Sequence, residues 1–349
     1  MAAPLISKIF RAVLIFLWID YTAAAQSLSS ISGSVVDAQT KQPLPGAVVY
    51  LAHTSIGTIA SGDGYFELTK IPPGKYDLIV SMLGYASFSR PSVFSGNVEK
   101  DIRFALVATP SMLDSIVVLG HKEKNRRSDY NTFLKFFIGQ TNNSRECKII
   151  NPEVIQVFTE EDKKLKAVAQ KPIVIDNMAL GYRVHFDLTE FVYDPVANEV
   201  STAGTPRFEE LETTNPKQKR RWIRERDRAY VGSSRHFLLS LKNKTLAANH
   251  FLVTNASNSP LADKEMIRNG NVYYYSTILV TFDEESPELL YPTRFRSNYQ
   301  KSSVIFRAPI VVYDNGYFED FHNIIFQGYI GWSSVIADLV PLGYQPSRN

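Results

Sequence analysis

The sequence predicts two folded domains behind an export signal: an N-terminal all-β sandwich and a C-terminal α+β domain. Three observations predict it. Short apolar stretches bounded by glycine and proline recur through Ile31–Leu106. A charged run, Gly120–Ser128, then interrupts the chain, and helix-like and strand-like segments mix beyond Asp129. The expected boundaries are 1–25 for the signal, 26–119 for the sandwich, 120–128 for the linker and 129–349 for the α+β domain. Two domains also suit the 349 residues, since domains commonly run to about 100–200 residues.

Lys8 and Arg11 flank the apolar run Ala12–Ile19, and Ala23-Ala24-Ala25 supplies the small residues of a signal-peptidase site. The run is too short to cross a hydrocarbon core about 30 Å thick. Asp20 and Tyr21 directly after it favour cleavage over a retained anchor, so the mature chain is expected to begin near Gln26. No cysteine adjoins that site, which argues against lipid anchoring. The single cysteine, Cys147, cannot form an intramolecular disulfide, so stability must come from hydrophobic cores. Its apolar flank predicts a buried, inert thiol. No other stretch suits a membrane helix, and the alternating strands lack the long even series of an outer-membrane barrel. Lys and Arg number 38 against 35 acidic residues, a net +3, which argues against a dedicated nucleic-acid binder.

Within the sandwich, Val35 marks the first strand and Asp37 introduces a turn. Pro43, Pro45 and Gly46 break pairing before the apolar strand Ala47–Leu51. Gly57-Thr58 starts a short strand leading to Ser61-Gly62-Asp63-Gly64, a turn of residues that tolerate positive φ. Tyr65–Leu68 alternates, Pro72-Pro73-Gly74 turns, and Tyr76–Val80 follows. Short strands at this spacing predict an all-β sandwich.

The same residues resemble the carboxypeptidase regulatory-like domain, frequent in envelope proteins of Bacteroidota-type bacteria. Matching positions are Gly33, Val35, Asp37, Pro43, Leu44, Pro45, Gly46, Gly57, Gly64, Phe66, Pro73, Gly74, Gly84 and Tyr85, and Ala60 replaces the usual threonine. The resemblance implies a prealbumin-like, carbohydrate-binding-like topology and an envelope location, in the periplasm or at the outer membrane. Glycines and prolines would shape turns, with Phe66 and Tyr85 in the core or at its rim. Asp37 and Asp63 are candidate calcium ligands, but single turn aspartates more often make local hydrogen bonds, and calcium needs six or more oxygens. Peptidase chemistry is not implied. Zinc needs H-x-x-E spacing with a distant histidine, and none of His53, His121, His185, His236, His250 or His322 supplies it.

Met112–Val118 is similar to the L-D-E-V-V-V element that follows this domain in TonB-dependent receptors, with Ser115 in place of glutamate. No plug or barrel pattern follows, so the receptor reading fails. Asp114-Ser115-Ile116 also fits a short O-glycosylation motif of such bacteria. Beyond the linker, Thr132–Ile138 predicts a helix stopped by Gly139. Val154–Phe158 and Leu165–Ala169 read as strands around a polar turn, and Leu180–Tyr193 as a long alternating strand. This half resembles an unnamed C-terminal region that accompanies the same sandwich, and it carries no transferable catalytic residues.

Three constellations are candidates for function. Asn215 and Pro216 predict a helix start, after which Lys217, Arg221, Arg224 and Arg228 share a face, with Trp222 and Ile223 elsewhere. That face could meet lipid phosphates, giving peripheral membrane association, or an anionic glycan. A solvated face with pairs Arg221–Glu225 and Glu225–Arg228 is the simpler reading. In Gly232–His236, a serine near His236 suggests a hydrolase, but no nucleophile elbow is present and Ser233 or Ser234 fits better as the cap of a helix Arg235–Leu241. His185 and Asp187 lie two apart on one strand face and could hold a metal with His322, although a cross-strand hydrogen bond is the simpler role. The sequons at Asn142, Asn243 and Asn255 are read as chance.

The reading is an exported, non-catalytic envelope protein with no assigned catalytic, cofactor or metal residue. Its sandwich would be a binding or spacing module for carbohydrate or an envelope partner, with Tyr50 or Tyr65 as candidate sugar-stacking rings. The alternative is a hydrolase, carboxypeptidase-associated or other, centred on His185, Asp187 and His236.

Overall fold

The structure, a computed structural model, describes residues 27–109, 123–160, 162–268, 270–283, 299–319 and 321–347. The signal, the segment Met112–Val118 and the first residues of the charged linker lie outside them.

Seven strands build the sandwich: β1 (Ser29–Asp37), β2 (Val48–Leu51), β3 (Gly57–Ile59), β4 (Tyr65–Ile71), β5 (Gly74–Ser81), β6 (Phe88–Phe94) and β7 (Val98–Leu106). They form two sheets, ordered β4-β1-β7 and β3-β2-β5-β6. Strand β1 runs antiparallel to β4 and parallel to β7. The sequence alternation works as expected: Ile31, Val35, Val49, Leu51, Phe66 and Leu68 point between the sheets and are fully or almost fully buried. Gly64 sits at φ +76°, and a Cβ there would lie 2.6 Å from the Val35 carbonyl oxygen, so the turn before β4 requires glycine. Pro91 falls on edge strand β6, where its missing N–H leaves no ladder bond unmade.

The C-terminal region begins with α1 (Glu123–Phe137). Its start lies within the segment expected as a hinge, nearer the N-terminus than the expected Thr132. Glu, Lys and Arg are good helix formers, and no glycine or proline separates them from the apolar half of the helix. Gly139, at φ +104°, ends it, with Val335 packed where a side chain would otherwise stand.

Six strands follow: β8 (Cys147–Ile149), β9 (Ile155–Thr159), β10 (Leu165–Ala169), β11 (Ile173–Asn177), β12 (Tyr182–Asp194) and β13 (Glu199–Glu210). Strand β12 organises them. One of its edges pairs with β11 and then β10, and the other pairs with β13 along its length. Its even-numbered residues Tyr182, Val184 and Phe186 face α1 and form a core with Phe133 and Phe137. Its odd-numbered residues Arg183, His185 and Asp187 face the opposite way.

Helices α2 (Pro216–Tyr230) and α3 (Ser234–Lys242) come next. A second core joins α3 to β14 (Phe251–Asn255), a short helix α4 (Asp263–Met266), β15 (Ile267–Arg268), β16 (Asn271–Val272), β17 (Thr277–Asp283), β18 (Tyr299–Phe306), β19 (Ile310–Val311), β20 (Ile324–Gly328) and α5 (Tyr329–Ser333). The larger sheet there is ordered β14-β17-β18-β20 and the smaller β15-β16-β19. The region is thus α+β, as predicted, with two hydrophobic clusters. No helix among the described residues is long and apolar enough to cross a membrane.

Candidate functional site

The residues singled out for chemistry separate into local structural roles and one shared seam. Asp37 Oδ1 accepts the amides of Gln39 and Thr40, and Oδ2 accepts the Tyr85 hydroxyl at 3.0 Å. The Thr40 and Gln39 amides hold its carboxyl below the usual carboxylate range. Asp63 likewise accepts from the Ser61 hydroxyl and the Tyr65 amide. Asp63 is held by local turn bonds alone, and Asp37 by a local turn together with the Tyr85 hydroxyl. No group of three or more His, Cys, Asp or Glu positioned for a metal occurs among the described residues.

The serine–histidine pair has a structural role as well. Ser233 caps α3 by accepting the His236 amide at 3.2 Å. The His236 ring accepts the Gly232 amide on Nδ1 and packs against Tyr230 and Phe251. Burial pulls its pKa down to about 4, so the ring stays neutral near neutral pH. His185 pairs with Glu209 on β13 at 3.3 Å, while Asp187 turns to the sandwich. His322 lies in a short 3-10 turn, Phe321–Asn323, between β19 and β20. The three histidine-bearing parts of the proposed hydrolase or metal site therefore do not share one cleft.

On α2 the Asn215 side chain accepts the Lys217 and Gln218 amides, as the cap signal predicts. Arg224 and Arg228 both pair with Glu225, and Arg221 pairs with Glu146 rather than Glu225. Chain folding brings Glu146 there, a partner invisible at helical spacing. Cys147 is half-buried, and burial pushes its thiol up to about 12, which leaves it unreactive near neutral pH.

The seam lies between the sandwich and the C-terminal region. The outer face of β2 and β5 carries Tyr50, Ala52 and Ile79, a small apolar cluster apart from the sandwich core. Tyr50 is only 3% exposed, which corrects the expectation that it could serve as a sugar platform. Its hydroxyl donates to Asp187 Oδ2 at 2.7 Å, and the Arg207 guanidinium lies 5.7 Å from its ring centroid. Beside it, the turn between β2 and β3 meets the open edge of β13. The His53 amide donates to the Pro206 carbonyl at 2.7 Å, and the Phe208 amide donates to the Thr54 carbonyl at 2.9 Å. The Leu342 amide donates to the His53 carbonyl at 2.6 Å. His53 therefore sits at φ +62° with both backbone groups fixed across the seam, which offsets the cost of that conformation.

A third strip of contacts involves the turn at Asn315-Gly316. Asn315 Nδ2 donates to the Lys75 carbonyl at 2.7 Å, and the Tyr317 hydroxyl donates to Asp77 Oδ2 at 3.0 Å. Lys75 forms an ion pair with Glu319. Leu342 packs against the sandwich core, and Arg235 holds the segment that delivers it by donating to the Val340 and Pro341 carbonyls. Asn315, Tyr317, Arg207 and Leu342 were not anticipated from the sequence. The Asn-Gly dipeptide was a readable turn signal, but nothing in it names β5 as the partner.

Asp187 gives the seam a pH dependence. Burial, only partly offset by the Tyr50 hydroxyl and Arg207, raises its carboxyl above the ordinary 3.8. The folded state then holds this proton more tightly than the unfolded state. Its contribution to stability is full below the ordinary value and is lost as pH rises through the raised one. Asp187→Asn, which keeps an oxygen facing Tyr50, is expected to remove that slope and to be at least as stable as the parent at neutral pH. Urea denaturation across the acid-to-neutral range checks this, and marked destabilisation of the variant at neutral pH would show that the charge itself is needed.

A β-sandwich docked by one sheet on an α+β region is the class of protein these contacts define. Residues 31–118 match the family model of the CarboxypepD_reg-like domain, so the protein carries a carboxypeptidase regulatory-like domain. Among solved structures, 3-chlorocatechol 1,2-dioxygenase from Rhodococcus opacus is 12% identical, with a TM-score of 0.21, over 24% of this chain and 62% of that one. A group B streptococcus pilus 2b backbone protein is 16% identical, with a TM-score of 0.19, over 23% of this chain and 40% of that one. A type II cohesin–X-dockerin complex from Acetivibrio cellulolyticus gives 20% identity and a TM-score of 0.20, over 23% and 58%. The chain thus spans less than two thirds of each, and likeness of this extent bears on neither fold nor function. No curated protein matches the chain.

Proposed function

We propose that this is an exported, non-catalytic cell-envelope protein whose β-sandwich is a glycan-binding module carried on the C-terminal region. One observation carries the reading. The outer face of sheet β3-β2-β5-β6 is used for docking, and among the described residues the outer face of β4-β1-β7 is left open. On that open face Tyr65, 45% exposed, stands beside Ser34, which in turn neighbours Arg103 on β7. Ser32 and Glu67 form the next row. An exposed ring flanked by hydroxyl and charged groups suits a sugar, which stacks its apolar face and hydrogen-bonds its rim. The apolar run and alanines before Gln26 support export. The dispersal of His185, Asp187 and His236 supports a non-catalytic role over the hydrolase alternative.

A glycan array probed with the mature protein, alongside pulldown from the native envelope, tests it. Tyr65→Ala combined with Arg103→Glu is expected to weaken glycan binding by about tenfold or more, with an unchanged urea midpoint. Equal binding by the variant would reject this face. Capture of an envelope protein with the same Tyr65 dependence, and no glycan signal, would replace the sugar by a protein ligand.

A further inference from the structure

We infer that the C-terminal region holds a single-chain anionic amphiphile, an acyl chain with a carboxylate or phosphate head, in a groove between α1 and β8. The groove has a volume of about 740 Å3, within the roughly 300–1,000 Å3 of small-molecule sites. Its floor is the outer rim of the core beneath α1. Tyr130, Leu134 and Ile138 recur at intervals of four residues, and Ile149 of β8 lies opposite. Two helical intervals of four make an apolar strip about 12 Å long. A narrow line of that length fits a linear chain better than a fused-ring or globular ligand.

The rim supplies the charge. Lys135 and Arg145 line the groove, both exposed, and among the described residues no carboxylate lines it. Lys148 also borders it, but its side chain shares the sheet face of Asp176, turned away from α1. Three neighbouring acids have partners of their own, the first being Asp338, whose charge reaches Cys147 and which accepts from Asn143 Nδ2 at 2.7 Å. Asp176 faces Lys148 across the β8–β11 ladder but is bound by both Nε and Nη2 of Arg183, at 2.6 and 2.9 Å. Glu146, between Arg145 and Cys147, pairs with Arg221. Lys135 lies 4.9 Å from the Phe136 ring centroid, a contact that leaves its charge uncancelled. Among the described residues Lys135 and Arg145 have no ion-pair partner, so the groove combines an apolar floor with a cationic rim. An amphiphile with a negative head matches both at once, whereas a sugar or a neutral lipid matches at most one. The groove lies wholly in the C-terminal region, so the inference stands or falls independently of the glycan reading.

Isothermal titration of the full mature chain with dodecyl phosphate, kept below its micelle concentration, tests it, with laurate as a second anionic head. Saturable binding at one site is expected for both. Dodecyl maltoside and inorganic phosphate should each bind about tenfold more weakly or worse, because each offers only half of the match. Lys135→Glu with Arg145→Glu, both exposed, should cost about tenfold while leaving the urea midpoint in place, and added salt should weaken the parent but not this variant. Leu134→Asp, on the floor, should weaken dodecyl maltoside as well. Equal affinity for the neutral head, full affinity in the charge-reversed variant, or tight binding of an acidic peptide without an acyl chain would each overturn the proposal. Binding of anionic vesicles without binding of either monomer would also overturn it, since it would place recognition on a surface rather than in the groove.

Discussion

Gly181→Ala is expected to destabilise the C-terminal region by about 3–5 kcal/mol, adding the cost of overpacking to that of a left-handed backbone on a residue with a side chain. Gly181 lies in the turn between β11 and β12 at φ +70°, and a Cβ there would stand 2.2 Å from Cδ2 of Trp222. The ring cannot retreat easily, because its Nε1 donates to the Met178 carbonyl at 2.8 Å. Nor can the turn move alone. Arg226 donates to the Leu180 carbonyl at 2.7 Å and to the Gly181 carbonyl at 3.1 Å, and its guanidinium lies 3.8 Å from the Tyr182 ring centroid. Asn177 continues the chain of contacts by accepting the Leu180 amide and donating to the Ala337 carbonyl. One methyl group therefore presses on the anchor of α2, the start of β12 and the segment that leads to Leu342. Small domains are stable by only about 5–15 kcal/mol, so this is a large fraction of the total. Urea denaturation followed by tryptophan fluorescence would measure it. Adding Trp222→Ala should recover part of the loss, since the clash and the ring are then removed together. Purely additive losses would show that Trp222 is not what the new methyl group meets.

How much of this could be read in advance depends on the range of the contact. Strand β12 was legible because Tyr182–Asp194 alternates, and a period of two needs no knowledge of partners. The cap of α2 was legible because Asn215 acts on amides two and three residues away. Gly64 and Gly46 announced their turns for the same reason. The seam is different. Tyr50 and Asp187 are separated by 137 positions, and Asn315 lies 240 positions from Lys75. His185 and Asp187 were correctly placed on one strand face, but their partners come from β13 and from β2, which no spacing rule connects to them. Tyr50 and Tyr65 could not be told apart because alternation in β2 and β4 says which residues share a face, not which face another domain will cover. The groove beside α1 was hidden in the same way, since Tyr130 and Ile149 meet only after β8 joins its sheet.

Leu342→Asp is expected to loosen the sandwich from the C-terminal region at a cost of about 2–3 kcal/mol, from lost apolar packing and the partial desolvation of an unpaired carboxylate. Leu342 is the residue through which the C-terminal segment reaches the sandwich core, and its amide closes the turn at His53. Arg235 sets its position from the other side by holding the Val340 and Pro341 carbonyls, and burial lowers the guanidinium only to about 10, so it remains a cation near neutral pH. If docking at this point is what fixes the sandwich, hydrogen exchange should quicken at the His53 and Thr54 turn and along β2 and β5. Strands β11 and β12, whose core lies under α1, should keep their protection. Leu83→Asp is the control: Leu83 is 72% exposed on the sandwich, and its replacement should change stability by no more than about 0.5 kcal/mol. Equal behaviour of the two variants would mean that Leu342 touches the sandwich without holding it. A selective loss of protection at the turn, β2 and β5 would mean that the open sheet β4-β1-β7 is presented from a fixed mount. A ligand bound there would then pull on β13 and the segment around Leu342 rather than on a free linker.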